Sequence, residues 1–241
     1  MTDLHGKTVV ITGASAGIGA ATATLLYDQG ANIVLGARRG HRLKELAAQL
    51  DATMTRVQWV ETDIRRPDEV DHLFSAARQH FGAIDILVAN AGVGVYGGIA
   101  ELSNDEVREL VETNLTGTIW CVRAAIDHLQ PAGGDIVIVS SVAGLRGRAN
   151  EAVYAATKHG VVGLAGALDR ELRARGIRVT TMCPGAAATE FALGRGRDAD
   201  TLDLAAMLRP CDVAEAIVHV LRQPRTLRTL LWSIRSMAAE N

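Results

Sequence analysis

Thr12-Gly13-Ala14-Ser15-Ala16-Gly17-Ile18-Gly19, directly after the apolar run Thr8-Val9-Val10-Ile11, is the stretch on which the fold turns. A β-branched run that breaks into glycines and then into an amphipathic pattern over 18–29 predicts strand, tight turn and helix. Glycine lets the chain turn sharply and lets backbone approach a ligand. The first turn of the following helix offers unpaired N–H groups and a positive dipole end to phosphate. The spacing Gly-x-x-x-Gly-x-Gly departs from Gly-x-Gly-x-x-Gly, so the turn alone reads either as a pyrophosphate site or as strand-to-helix punctuation.

The same alternation continues outward from this turn. Strand patterns fall at 8–12, 32–35, 57–60, 84–89, 135–140, 178–183 and, less regularly, 227–232; helical patterns fall at 18–29, 41–50, 67–80, 104–128, 152–175 and 212–221. Repeated strand-helix order demands a parallel sheet with right-handed crossovers. Runs such as "VVIT", "IDILVA" and "DIVIVS" are apolar almost throughout, as strands covered by helices on both faces must be. The expectation is a single α/β domain over 1–241, doubly wound, with ligands at the carboxyl edge where strand order reverses. The irregular segment 185–210 is too long for a simple connector and is expected to be a lid over the substrate.

Composition narrows the partners. With 241 residues, 48% hydrophobic and 22% charged, the chain can bury a substantial core. A formal net charge of -2 gives no broad footprint for nucleic acid or an anionic membrane. The start "MTDLHGKTVVITG" has no basic region followed by an apolar one, and no apolar run is long enough to span a bilayer, so a cytoplasmic protein is expected. Cys121, Cys183 and Cys211 are odd in number and far apart, which suits reduced thiols. The seven histidines form no metal-ligand pattern, and no metal is expected.

The second strand pattern ends in "NIVLGARRG", with Ala37 near the position where an acid would bind ribose hydroxyls, followed by Arg38 and Arg39. Guanidinium groups suit a 2′-phosphate, so NADP(H) is favoured over NAD(H) unless the two arginines are merely solvated. Asp63 either accepts from an adenine amino group or caps the helix starting near Pro67. In "ANAG", Asn90 and Gly92 mark a place where the chain passes close to a ligand or another backbone.

In order along nearly the whole chain, "TGASAGIG", Asp63, "ANAG", Asn114 in "ETNLTG", Ser141 in "IVIVSSVAG", Tyr154 and Lys158 in "YAATK", and "PGAAAT" at 184–189 resemble the short-chain dehydrogenase/reductase family. The resemblance implies a Rossmann sheet of about seven strands, a nicotinamide dinucleotide, carbonyl/alcohol redox chemistry and a homo-oligomer, a tetramer before a dimer. It implies cofactor contacts by Gly13, Ser15, Ala16, Gly17, Ile18, Gly19, Arg38, Arg39, Asp63 and Ile64. Asn90, Ala91, Gly92, Tyr154, Lys158, Pro184, Gly185 and Thr189 complete that expected set, Thr189 at the nicotinamide carboxamide. Two positions depart from the family pattern: Ala89 replaces an asparagine, and Ala187 replaces a branched residue, which is expected to loosen the wall beside the nicotinamide.

The chemistry asks for a proton at the carbonyl oxygen. Tyr154 and Lys158 are four apart and so share a helix face, where an ammonium is expected to favour the phenolate of a tyrosine that normally titrates near 10. Tyr154 is expected to be the acid and base, Ser141 to hydrogen-bond the substrate oxygen and Lys158, by resemblance, to hold the nicotinamide ribose. Asn114, by resemblance, bends its helix and holds a water that links Lys158 to solvent. Ser140 is the weaker serine because the family spacing selects Ser141. His159 lies on another helix face, and Arg146 and Arg148 read as a solvated loop or subunit contact before an anion site.

The expected protein is an NADP(H)-dependent oxidoreductase of a small organic carbonyl or alcohol, such as a 3-hydroxy acid. Alternatives are a 3-oxoacyl thioester reductase or specialised-metabolite ketoreductase and, from another class, a non-catalytic NADP-binding sensor or scaffold.

Overall fold

Strand β1 (Thr8–Thr12) is buried at every residue, so it needs a packed layer on each face. In the computed structural model, which describes residues 1–129, 133–198, 200 and 203–239, it pairs in parallel with β2 (Asn32–Ala37) on one side and β4 (Ile86–Ala89) on the other. Strands β3 (Val57–Glu61), β5 (Gly134–Val139), β6 (Ile177–Pro184) and β7 (Leu231–Ile234) complete a seven-stranded parallel sheet in the order β3-β2-β1-β4-β5-β6-β7. The chain moves from β1 outward to β3 and then returns to continue from β4 on the other side. The crevice between the carboxyl ends of β1 and β4 is therefore the topological switch point.

Side chains alternate across the sheet with period two: Val9 and Ile11 enter one core, Val10 the other. The first core is closed by α1 (Gly17–Asp28), α2 (Gly40–Leu50) and α7 (Pro210–Leu221), through residues such as Leu26, Leu43 and Ile217. The second is closed by α3 (Pro67–Phe81), α5 (Thr118–His128) and α6 (Ala152–Leu172), through Phe74, Cys121 and Val161. The doubly wound Rossmann architecture expected from the alternating pattern is the one observed.

Most boundaries fall within two residues of the sequence reading, and the larger departures each have a local reason. The helix expected over 104–128 is α4 (Asn104–Val111) and α5 joined by a π-helical segment, Glu112–Gly117. Asn114 sits in this wider turn, where its amide reaches the backbone of Val93. The last strand is Leu231–Ile234 and not 227–232, because the carbonyls of Leu227 and Thr229 accept from the side chains of Arg178 and Thr180 instead of joining the ladder. Helix α6 stops at Leu172 and tightens into a 3₁₀ turn, Arg173–Arg175, before Gly176 at φ +70°. Among the described residues no helix is long and apolar enough to cross a membrane, and no group of three or more His, Cys, Asp or Glu is placed to hold a metal ion.

Candidate active site

The turn between β1 and α1 is set by contacts that only small residues permit. Gly13 has φ +67°, and a Cβ there would lie 2.7 Å from Ala91 Cα; Gly17 has φ +57°, and a Cβ would lie 2.9 Å from Thr189 Cγ2. Asn90 then stitches the turn to β4: its Nδ2 donates to Thr12 O (3.1 Å) and Gly13 O (3.2 Å). The N–H groups of Asn90 and Ala91 both donate to Thr12 Oγ1 at 3.2 Å. Ala16, ahead of α1, supplies no side-chain cap, so the N–H groups of the first helical turn face the cavity without a capping partner.

That cavity measures about 1390 Å³ and runs from Ser15 and Arg39 to Ser141, Tyr154 and the segment after β6. It exceeds the usual size of a single small-molecule pocket and is large enough for a dinucleotide together with a substrate. Of the residues expected at the site, all except Gly19 and Asn114 line it. Gly19 is buried beneath the turn. Asn114 stands behind the wall, its Oδ1 accepting from Val93 N (2.8 Å) and its Nδ2 donating to Val93 O (2.9 Å) and Thr157 Oγ1 (3.3 Å). Its side chain thus braces the loop after β4 against α6.

The two adjacent serines have different environments. Ser140 is buried, with its hydroxyl donating to Lys158 O at 3.0 Å. Ser141 caps a 3₁₀ turn (Val142–Gly144), accepting from Ala143 N at 3.1 Å. Because its oxygen is already an acceptor there, its proton remains to be donated. Tyr154 is buried with Tyr96 and Phe191 against its ring, both centroids 5.7 Å away. The phenol oxygen therefore works among aromatic walls, which also push the Tyr96 hydroxyl up to about 12 by burial.

Lys158 is buried, and its Nζ donates to Val139 O at 3.0 Å while lying 5.9 Å from the Tyr154 ring centroid. Burial brings its ammonium down to about 8. The lowering of Tyr154 expected from this neighbour is not what the fold produces: burial drives the phenol well above its ordinary value, and the hydrogen bond with Ser141 offsets only part of the rise. Desolvation outweighs charge because the ammonium is turned toward the strand carbonyl.

Asp63 is also differently engaged than expected. Burial raises its carboxyl, but Arg65 outweighs that and holds it below the usual range. Arg65 Nε donates to both carboxylate oxygens at 3.0 and 2.9 Å. It does not cap α3, whose N-cap is Arg66. Ala187, expected to loosen the wall, is buried in the first core, and the bonds Ala188 N to Leu208 O (2.8 Å) and Leu208 N to Ala186 O (2.9 Å) anchor that stretch. His159 is exposed, with Nδ1 at 2.9 Å from Ala155 O on its own helix.

Sequence reasoning passed over Thr113 and did not single out Tyr96 or, within the expected lid segment 185–210, Phe191; all three line the cavity. Thr113 is buried, and its Oγ1 has no hydrogen-bond partner among the described residues. An orphaned polar atom on the cavity wall, an uncapped helix start and a turn kept free of side chains together fit a polar ligand carrying phosphate.

Comparison with known proteins agrees with this geometry. Residues 7–199 match the family described as short chain dehydrogenase. An uncharacterised oxidoreductase of Staphylococcus aureus is 35% identical over 226 residues, covering 93% of this chain and 94% of its own. An alcohol dehydrogenase from the archaeon Thermococcus sibiricus, solved with 5-hydroxy-NADP, superimposes with TM-score 0.89 at 31% identity over 98% of each chain. A 3-ketoacyl-(acyl-carrier-protein) reductase from Brucella melitensis, solved with NADH, gives TM-score 0.89 at 29% identity over 98% of this chain and 99% of its own.

Proposed function

Because the chain belongs to the short-chain dehydrogenase family, we propose that it is an NADP(H)-dependent oxidoreductase interconverting a carbonyl and an alcohol on a small organic molecule, with Tyr154 as acid and base. The observation that carries this reading is the placement of the Tyr154 phenol beside Ser141 and Lys158 in one cavity with the glycine turn. Bound there, the dinucleotide supplies or accepts the hydride.

The protein's own groups handle the rest. The N–H groups at the start of α1 would hold the pyrophosphate, and Lys158, with one of its three donors on Val139 O, would turn the others toward ribose and phenol. Ser141 would donate to the substrate oxygen as negative charge grows there. A phenol raised by burial stays protonated through neutral pH, which favours Tyr154 as the proton donor in carbonyl reduction. Asn114 would act through its brace on α6 and through a water between Lys158 and solvent.

Arg39 supports the phosphate-bearing cofactor. Its Nε and Nη2 donate to Ser15 Oγ at 3.1 and 3.0 Å, so a guanidinium stands against the glycine turn, and the buried Ala37 puts no carboxylate at the end of β2, where one would bind ribose hydroxyls. On the substrate side, the rings of Tyr96 and Phe191 favour a compact, largely apolar carbonyl compound, with a 3-hydroxy acid or its oxidised form as the narrower candidate.

The test is a panel of small aldehydes, ketones, 3-oxo acids and a 3-oxoacyl thioester, assayed with NADPH and NADH in parallel. Turnover is expected with kcat/KM for NADPH at least about tenfold above that for NADH, the discrimination expected of a charge-assisted phosphate contact. Faster reaction with NADH would remove the NADP assignment. Binding of NADPH with no oxidation across the panel would instead point to a sensor.

A further inference from the structure

Arg39, which would meet a 2′-phosphate, is not idle in the fold, and Arg42 beside it shares its partner. Arg39 Nη1 donates to Glu190 Oε2 at 2.9 Å, and Arg42 Nη1, from the first turns of α2, donates to the same oxygen at 2.6 Å. Glu190 follows Thr189 in the segment after β6, so this contact joins the lid to the β2–α2 connection across the mouth of the cavity. Hydrogen bonds from Arg42 and then Arg39 hold its carboxyl below the usual range, so it is ionised at neutral pH.

With Nε and Nη2 on Ser15 and Nη1 on Glu190, both edges of the Arg39 guanidinium are engaged by protein. A dianionic 2′-phosphate seeking the same fork must displace Glu190 or settle within a guanidinium's width of its charge. A 2′-hydroxyl carries no charge and meets no such opposition. The three side chains are between 36% and 54% exposed, so the cluster adds little to stability, and its consequence is for ligands.

Resting on the dinucleotide reading above, we infer that Glu190 is a selectivity-determining residue that competes with the 2′-phosphate for Arg39 and Arg42 and so restrains NADP(H) binding relative to NAD(H). It is the counterweight to Arg39, tuning how strongly the phosphate-bearing cofactor is retained.

The experiment is titration of the wild-type protein and Glu190→Gln with NADPH and with NADH, followed by nicotinamide fluorescence, with thermal melting as a check on folding. Glutamine keeps the length and an oxygen acceptor while removing the charge. The Kd for NADPH should fall about five- to tenfold in the variant and that for NADH should change by less than about twofold, the like-charge term acting on one cofactor alone. Equal tightening of both cofactors would overturn the inference and make Glu190 a general tether of the lid. Weaker NADPH binding would overturn it in the other sense, with Glu190 aligning the arginines for the phosphate. A wild-type protein that binds neither cofactor would bring down the dinucleotide reading itself, and this inference with it.

Discussion

Tyr154→Phe should lower turnover by about 10²–10⁴-fold, the range spanned by loss of a positioned general acid, while dinucleotide affinity stays within about twofold. The substitution deletes one oxygen and keeps the ring that packs at 5.7 Å against both Tyr96 and Phe191. Pocket shape and the glycine turn are thus preserved, and only the proton is lost. Single-turnover reduction and a fluorescence titration on the same sample separate the two effects. Turnover within about threefold of wild type would remove Tyr154 from the chemistry.

Lys158→Met should stabilise the fold and disable the enzyme. In the native protein the buried ammonium is brought down to about 8 from 10.5. Between those values the unfolded chain binds a proton that the folded chain has released, so stability rises with pH across that interval; below it the full cost of burying the charge is present. Removing the charge recovers at most about 3 kcal/mol, and the Val139 carbonyl left without its donor takes back about 1 kcal/mol. The net gain near pH 7 is on the order of 1–2 kcal/mol; it should vanish as pH rises through that interval and become a loss of about 1 kcal/mol above pH 10.5, where the wild-type lysine is neutral in both states and only the missing bond to Val139 counts. Urea unfolding at pH 7 and pH 10 measures this. Equal destabilisation at both values would show that the lysine stem and its bond to Val139 outweigh the charge. If Lys158 holds the ribose as proposed, its loss should cut turnover at least about a hundredfold, a trade of activity for stability.

The Glu190 inference and these two predictions act on different parts of one cavity. Lys158 and Tyr154 lie under the aromatic wall, and Glu190 lies at the mouth beside Ser15 and Arg39. Their effects on turnover and on cofactor choice should therefore be separable in double variants.

Local chemistry was legible in the sequence because it depends on short spacings. Thr8–Thr12 followed by glycines announced β1, the turn and α1, since a β-branched apolar run and the glycines that take positive φ stand in consecutive residues. Four-residue spacing put Tyr154 and Lys158 on one helix face, and the apolar strands implied a sheet covered on both sides. What decides how those residues behave comes from partners far away in the chain. Ser140 and Ser141 are neighbours of the same type and both line the cavity, yet the hydroxyl of one donates to Lys158 O on α6 and that of the other accepts from Ala143 N, a difference made by the long-range contact with Lys158. Asn90 ties the turn of Gly13 across 77 positions of sequence, and Glu190 reaches Arg39 across 151.

The sequence alone carried the order of strands and helices and the glycine turn after β1, and it named the candidate reacting side chains, because each rests on periodicity or on residues a few positions apart. Only the tertiary structure decided the state of those side chains. It buried Tyr154 deeply enough to raise its phenol despite the nearby lysine. It turned Lys158 toward Val139, and it set a carboxylate against the arginines that a cofactor phosphate would seek. Desolvation and ion pairing are properties of what surrounds a group in space, and no spacing along the chain encodes them.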